Sequence, residues 1–297
     1  MFLRFPRTSA NGSACATGKR VISLFVAGTG LFGSLIGSFL NVVIFRVPAG
    51  RSIVSPSSAC GGCGRRIRPW DNVPVLSWLV LGGRCRDCKV RISARYPLVE
   101  LGTAVFFACV AVWVLSGVST GSTTGLAMAG VLVTLVAFLY LAGVSVSLAM
   151  IDLDTHTLPN RIVLPAYPVA AMLLAAAALL AGETGRILGA LVGAAALFGV
   201  YLLLALAYPA GMGLGDVKLA GVLGLHLGWL GWGELAVGGF AAFLLGGFFA
   251  LLLVISRKAN RKSGIPFGPW MLAGAWLGIF YGEQIANGYL SLFGLAS

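Results

Sequence analysis

Asp152 and Asp216 are the residues of this sequence with the clearest capacity for chemistry. The first lies in LAMIDLDTHTLPNRIVLP and the second in GMGLGDVK, each beside a long apolar run. An ionised side chain costs about 2.5–3.5 kcal/mol at the centre of a membrane helix and less toward its ends. Two carboxylates held close cannot both ionise comfortably. One keeps its proton and polarises a carbonyl, while the other draws a proton from water. That is aspartic protease chemistry, and it needs neither a metal nor a nucleophilic side chain. The competing reading is local: such acids cap helices or pair with cations, as Asp216 with Lys218 or Asp154 with Arg161. Two acids in Gly- and Pro-broken turns at one membrane face favour chemistry. Gly211, Gly213 and Gly215 would let a peptide backbone approach Asp216 closely. The two histidines, His156 and His226, form no convincing pair with a Ser or Cys nucleophile.

A second group is CGGC and CRDC, in which Cys60, Cys63, Cys85 and Cys88 form two CxxC pairs. Each pair can place two thiolates on one turn, and two such turns complete the four-sulfur shell of a structural zinc. Gly61, Gly62 and Gly64 allow the tight turns; Arg65, Arg66, Arg84, Arg86 and Lys89 offset the thiolate charge. Disulfides are the alternative, but they need an oxidising compartment. A catalytic zinc keeps a ligand position open, which four thiolates do not. Cys15 and Cys109 stand alone, the first in a tail and the second packing in a helix.

These groups sit on a chain that is 58% hydrophobic, with a mean hydropathy of +0.94. Runs such as MLLAAAALLA do not alternate, so the expected fold is all-α and polytopic rather than a barrel. About eight spans of about 20 residues can be laid at Val21–Phe45, Pro97–Ser116, Leu126–Ile151, Ile162–Ala181, Ile187–Tyr208, Leu219–Trp232, Leu235–Ile255 and Trp270–Leu290. The sixth is short and contains His226. The first is longer than a signal-peptide core and lacks a small-residue cleavage site, so it reads as a retained helix.

The net charge of +12 fits basic cytoplasmic loops better than nucleic-acid binding. One set of connections holds sixteen Lys or Arg, including the 46–95 loop and RKANRK, against five on the other side. The first set is therefore expected in the cytoplasm. The expected organisation is a basic tail at 1–20, a first membrane helix at 21–45, a cytoplasmic zinc-binding loop at 46–96 and a membrane core at 97–297. The loop is too small to build a strong core, so the cysteines should staple it.

In order, the sequence carries GSFLNVVIFRVP from Gly37, the paired CxxC box, RYPLVE from Arg95, IDLDTHTLPN from Ile151, GMGLGDVKL from Gly211 and IPFGPWMLAGA from Ile265. With these six motifs in order, the chain resembles the type IV prepilin peptidases, bifunctional leader peptidases and N-methyltransferases of the bacterial inner membrane. The resemblance implies that Asp152 and Asp216 are the catalytic pair, with Asp154, Gly213, Gly215 and Lys218 supporting. It implies zinc on the four cysteines and methyl transfer from S-adenosylmethionine near GSFLNVVIFRVP and YPLVE, with Glu100 a polar group there. The implied substrate is a prepilin or pseudopilin whose basic leader, typically ending in Gly, is cut at the cytoplasmic face. Asp71, Asp87 and Glu100 are the acids that could receive that leader. Two other functions remain open: a transporter with an Asp152, Asp216 and His226 relay, and a zinc interaction module.

Overall fold

The computed structural model describes residues 11–117, 125–208, 211–256 and 266–294, with side chains from residue 20 onward. Most of the basic tail's side chains and the RKANRK cluster lie outside the described residues. Within them the fold is helical: α1 (Asn11–Arg46), α2 (Leu76–Val80), α3 (Arg95–Ser116), α4 (Gly125–Thr155), α5 (Asn160–Ala181), α6 (Gly185–Ala207), α7 (Leu214–Leu230), α8 (Trp232–Ile255) and α9 (Gly268–Ser291).

Eight of these helices are long, and six are long and apolar enough to cross a membrane: α3, α4, α5, α6, α8 and the Arg20–Arg46 part of α1. Their outward faces are apolar too; Leu24, Leu203, Leu206 and Phe248 are each more than 60% exposed. Apolar surface on this scale belongs against lipid. The helix α7 is different. At 17 residues it is about 26 Å long, and Val217 and Leu219–Trp229 are buried. A helix apolar on every face is a core helix, and α5, α6, α8 and α9 pack around it.

Boundaries differ from expectation where polar residues continue a helix. The first helix begins at Asn11 rather than Val21. At the end that carries the two acids, α4 runs through Asp152 and Asp154 to Thr155, and α7 begins at Leu214, so Asp216 lies in its first turn rather than in a preceding loop.

Three antiparallel pairs are closed by glycine. A Cβ on Gly37 of α1 would lie 2.7 Å from Glu100 Cα of α3. One on Gly193 of α6 would lie 2.5 Å from the Gly224 carbonyl of α7. One on Gly278 of α9 would lie 2.7 Å from Gly238 Cα of α8. In lipid, where apolar burial does not draw helices together, such backbone contact is a main source of association. Between the pairs, Phe138 of α4 is wedged against Trp113, His226 and Trp276, with ring centroids 4.9, 5.5 and 6.5 Å away.

Candidate active site

Asp152 lies in the last turn of α4 and is only 4% exposed. A carboxylate there faces the negative end of its own helix dipole. The first turn of α9 compensates, because the Gly268 N–H donates to Asp152 Oδ2 at 3.0 Å. His156, with φ 51°, turns the chain out of α4 in a left-handed conformation, and its N–H donates to the Asp152 carbonyl at 2.9 Å.

Asp216 is half-buried in the first turn of α7, where a negative charge suits the helix dipole. Its Oδ2 accepts the N–H of Gly213 at 3.1 Å, so it also caps the helix. The two carboxylates are close enough to interact electrostatically. Leu158, in the turn before α5, packs between their supports: Cβ atoms built on Gly215 and Gly268 would lie 3.1 Å and 3.2 Å from it. Gly215 is therefore small for packing against Leu158. Gly213 is the glycine of this turn with space beside it, the nearest outside atom to a built Cβ being Asp216 Oδ2 at 3.4 Å.

The cation partners are not those suggested by sequence proximity. Lys218 Nζ donates to Asn160 Oδ1 at 3.1 Å, and Tyr167 Oη donates to the Lys218 carbonyl at 2.6 Å. Asp154 pairs with Arg95 rather than Arg161; the guanidinium reaches Oδ1 at 2.9 Å and Oδ2 at 2.5 Å. This pair ties the end of the cysteine loop to α4, two residues beyond Asp152.

The loop is built from two matching knuckles. Isolated bridges join Ala59 to Arg66 and Arg84 to Arg91. The N–H of Cys60 donates to the Arg65 carbonyl at 2.8 Å, as Cys85 does to Val90 at 2.9 Å. Gly64 and Lys89, at equivalent places, have φ of 69° and 58°. The sulfurs of Cys60, Cys63, Cys85 and Cys88 all lie within 4.8 Å of one another and could hold a metal ion. The N–H groups of Cys63 and then Gly62 lower the Cys60 thiol to about 6, while at Cys88, against the Val90 N–H, burial and then the neighbouring sulfurs push the thiol up to about 11.

The loop's acids are engaged within it. Arg86 holds Asp71 at 2.6 Å and keeps its carboxyl below the usual range, and Arg65 meets Asp87 at 3.0 Å. Glu100, 9% exposed, accepts the Val75 N–H at 2.7 Å. Val75 has φ 61°, a strained conformation for a β-branched residue, so Glu100 anchors an unusual turn. His226 lies about 15 Å along α7 from Asp216; its Nδ1 is 3.0 Å from the Val222 carbonyl and its Nε2 has no partner among the described residues. It is a core residue, not a link in a relay with the acids.

Sequence reading missed the Gly268 N–H. The signal was present in IPFGPW, since a Pro in the first turn marks a helix start, but nothing local aims that start at Asp152.

Residues 31–114 match the model of the bacterial peptidase A24 N-terminal domain, and residues 139–255 match that of the type IV leader peptidase family. The chain is 35% identical to the prepilin leader peptidase/N-methyltransferase of Pseudomonas aeruginosa over 91% of this chain and 95% of that protein. It is 34% identical to the protein of that name from Aeromonas hydrophila, covering 89% and 93%. For the one from Bacillus subtilis the identity is 32%, covering 88% and 96%. No solved structure matches the chain.

Proposed function

The chain belongs to the prepilin leader peptidase/N-methyltransferase family, and from that membership we propose that it removes the leader of a prepilin or pseudopilin between Asp152 and Asp216 and methylates the new N-terminus. The observation that supports this site is that Leu158 packs against both Gly215, next to Asp216, and Gly268, whose N–H holds Asp152, so two helices separated by α5 and α6 bring their acids to one end of the bundle.

In the proposed reaction one carboxyl of the pair is protonated and the other ionised. The ionised group takes a proton from water, which attacks the scissile carbonyl, while the protonated group donates to that carbonyl's oxygen. Collapse of the tetrahedral intermediate returns the oxygen's proton to the carboxylate that donated it and breaks the C–N bond, and the leaving nitrogen takes the proton that the other carboxylate drew from water. The Gly268 N–H keeps Asp152 aimed throughout. Gly213 offers the open backbone against which the substrate chain can lie.

The cysteine cluster suits zinc. A tetrahedron with Zn–S bonds of about 2.3 Å has sulfur–sulfur edges of about 3.8 Å, and the Cys60 and Cys88 sulfurs are 3.7 Å apart. Disulfide sulfurs would be bonded at about 2.0 Å. Zinc here staples a loop that has little core of its own. For methyl transfer, S-adenosylmethionine supplies the methyl group when bound, and its sulfonium suits a site with a buried anion. Glu100 fits as that anion, where α3 meets the loop. The cations concentrated between Arg46 and Arg95, directly after the first span, favour a cytoplasmic position for the loop and, through the Arg95–Asp154 pair, for the end of the bundle that carries both acids in a bacterial inner-membrane protein.

The test is co-expression of the full chain with a prepilin, following leader removal by mass. Asp152→Ala and Asp216→Ala should each abolish it. Complete processing by both variants rejects the assigned site.

A further inference from the structure

The pairing of α6 with α7 has a register that reaches the proposed site. Gly189 stands opposite Gly228 and Gly193 opposite Gly224, each so close that an added Cβ would meet the facing carbonyl at 2.5 Å. The helices are antiparallel, so eight residues further along α6 and eight back along α7, about 12 Å of rise, Tyr201 comes level with Asp216.

Tyr201 is held there by rings. It is 2% exposed, with centroids 5.2 Å from Phe243 of α8 and 6.3 Å from Phe267, while Phe243 and Phe267 are 5.5 Å apart. Phe267 immediately precedes the Gly268 N–H that binds Asp152. The aromatic cluster therefore joins Tyr201 to the support of one acid, while the helix register sets it level with the other. The Tyr201 hydroxyl and the Asp216 carboxyl are within electrostatic range.

The hydroxyl makes no hydrogen bond to a described residue, unlike that of Tyr167, which is bonded to the Lys218 carbonyl. Among the described residues the fully buried polar side-chain atom without a partner is His226 Nε2, so the Tyr201 oxygen, though its ring is buried, keeps access to the space beside it. On the reading that Asp152 and Asp216 form the peptidase site, we infer that Tyr201 is a further catalytic residue, its O–H donating to the oxygen of the scissile carbonyl as that oxygen becomes negative. Beside two carboxylates a neutral donor is the suitable kind: it stabilises developing charge without neutralising the carboxylate that activates water. The phenol keeps its proton and no bond to it forms or breaks.

The experiment uses the full chain in phospholipid vesicles with the Pseudomonas aeruginosa prepilin as probe, comparing wild type with Tyr201→Phe. The expected result is a fall in kcat of roughly 10²-fold, the typical cost of losing one oxyanion donor, with KM within about twofold, as for an interaction made only in the transition state. The thermal midpoint and methyl transfer to a pre-cleaved pilin should be unchanged. An unchanged kcat, a change confined to KM, or a lowered thermal midpoint overturns the inference, the last because it gives the hydroxyl a structural partner. Asp216→Asn is run alongside. Retained cleavage in that variant rejects the underlying site, whereas its loss together with a normal Tyr201→Phe rate rejects Tyr201 alone.

Discussion

The guanidinium of Arg95 grips both carboxylate oxygens of Asp154, joining the helix that leaves the cysteine loop to the turn that carries Asp152. The pair is about 40% exposed on both sides, so its contribution to stability is at most about 1 kcal/mol. Its larger effect should be on position. Arg95→Ala and Asp154→Ala are each expected to slow leader removal several-fold, and the double variant to be no slower than the worse single one. Rates that multiply across the cycle would show that the two side chains act separately.

Gly268 tests the support of Asp152 from the other side. A Cβ there would lie 2.7 Å from Asp152 Oδ2, so Gly268→Ala should push the carboxylate from its place. Displacements of about 1 Å in an aligned site can cost about 10²-fold in rate. Cleavage of prepilin should fall accordingly while methylation of a pre-cleaved pilin persists. Normal cleavage kinetics in Gly268→Ala would remove this N–H from the mechanism.

Zinc should matter to one activity more than the other. Replacing Cys60 and Cys85 together with Ser removes one ligand from each knuckle and should abolish metal retention, since folding of so small a loop is coupled to its metal. Metal analysis of the purified chain is expected to drop from about one zinc per protein to background. Methylation should be lost and leader removal largely kept. A double variant that still carries one zinc sinks the assignment of these ligands.

The glycine seam between α6 and α7 gives a stability prediction with an internal control. Gly193→Val places side-chain atoms against the backbone of Gly224 and Gly228 and should destabilise the bundle by about 1–3 kcal/mol or more. Gly199→Ala, six residues along the same helix, meets nothing within 4 Å and should leave the thermal midpoint in detergent unchanged or slightly raised. Equal midpoints for the two variants would mean that the seam does not set the packing. Because the seam fixes the level of Tyr201, Gly193→Val should also slow cleavage.

The apolar runs alone determined that the chain is helical and placed the eight long helices to within a few residues at most ends, because a membrane helix satisfies its own backbone and is written in one continuous segment. The cysteine spacing was equally legible, since each knuckle closes within a few residues. Short-range pairing was not. Sequence neighbours suggested Arg161 for Asp154 and Lys218 for Asp216, yet Asp154 takes Arg95 and Lys218 takes Asn160. The loop acids that could have received a basic leader are engaged inside the protein, as Asp71 is by Arg86. The turn at Gly268 was visible as a helix start, but its N–H gained a target only when α9 docked beside α4. Tyr201 looked like any apolar-helix aromatic until the glycine contacts fixed how α6 lies along α7. Composition and spacing act within a segment. Which polar group meets which across the bundle depends on the register of separate helices, and only their packing decides it.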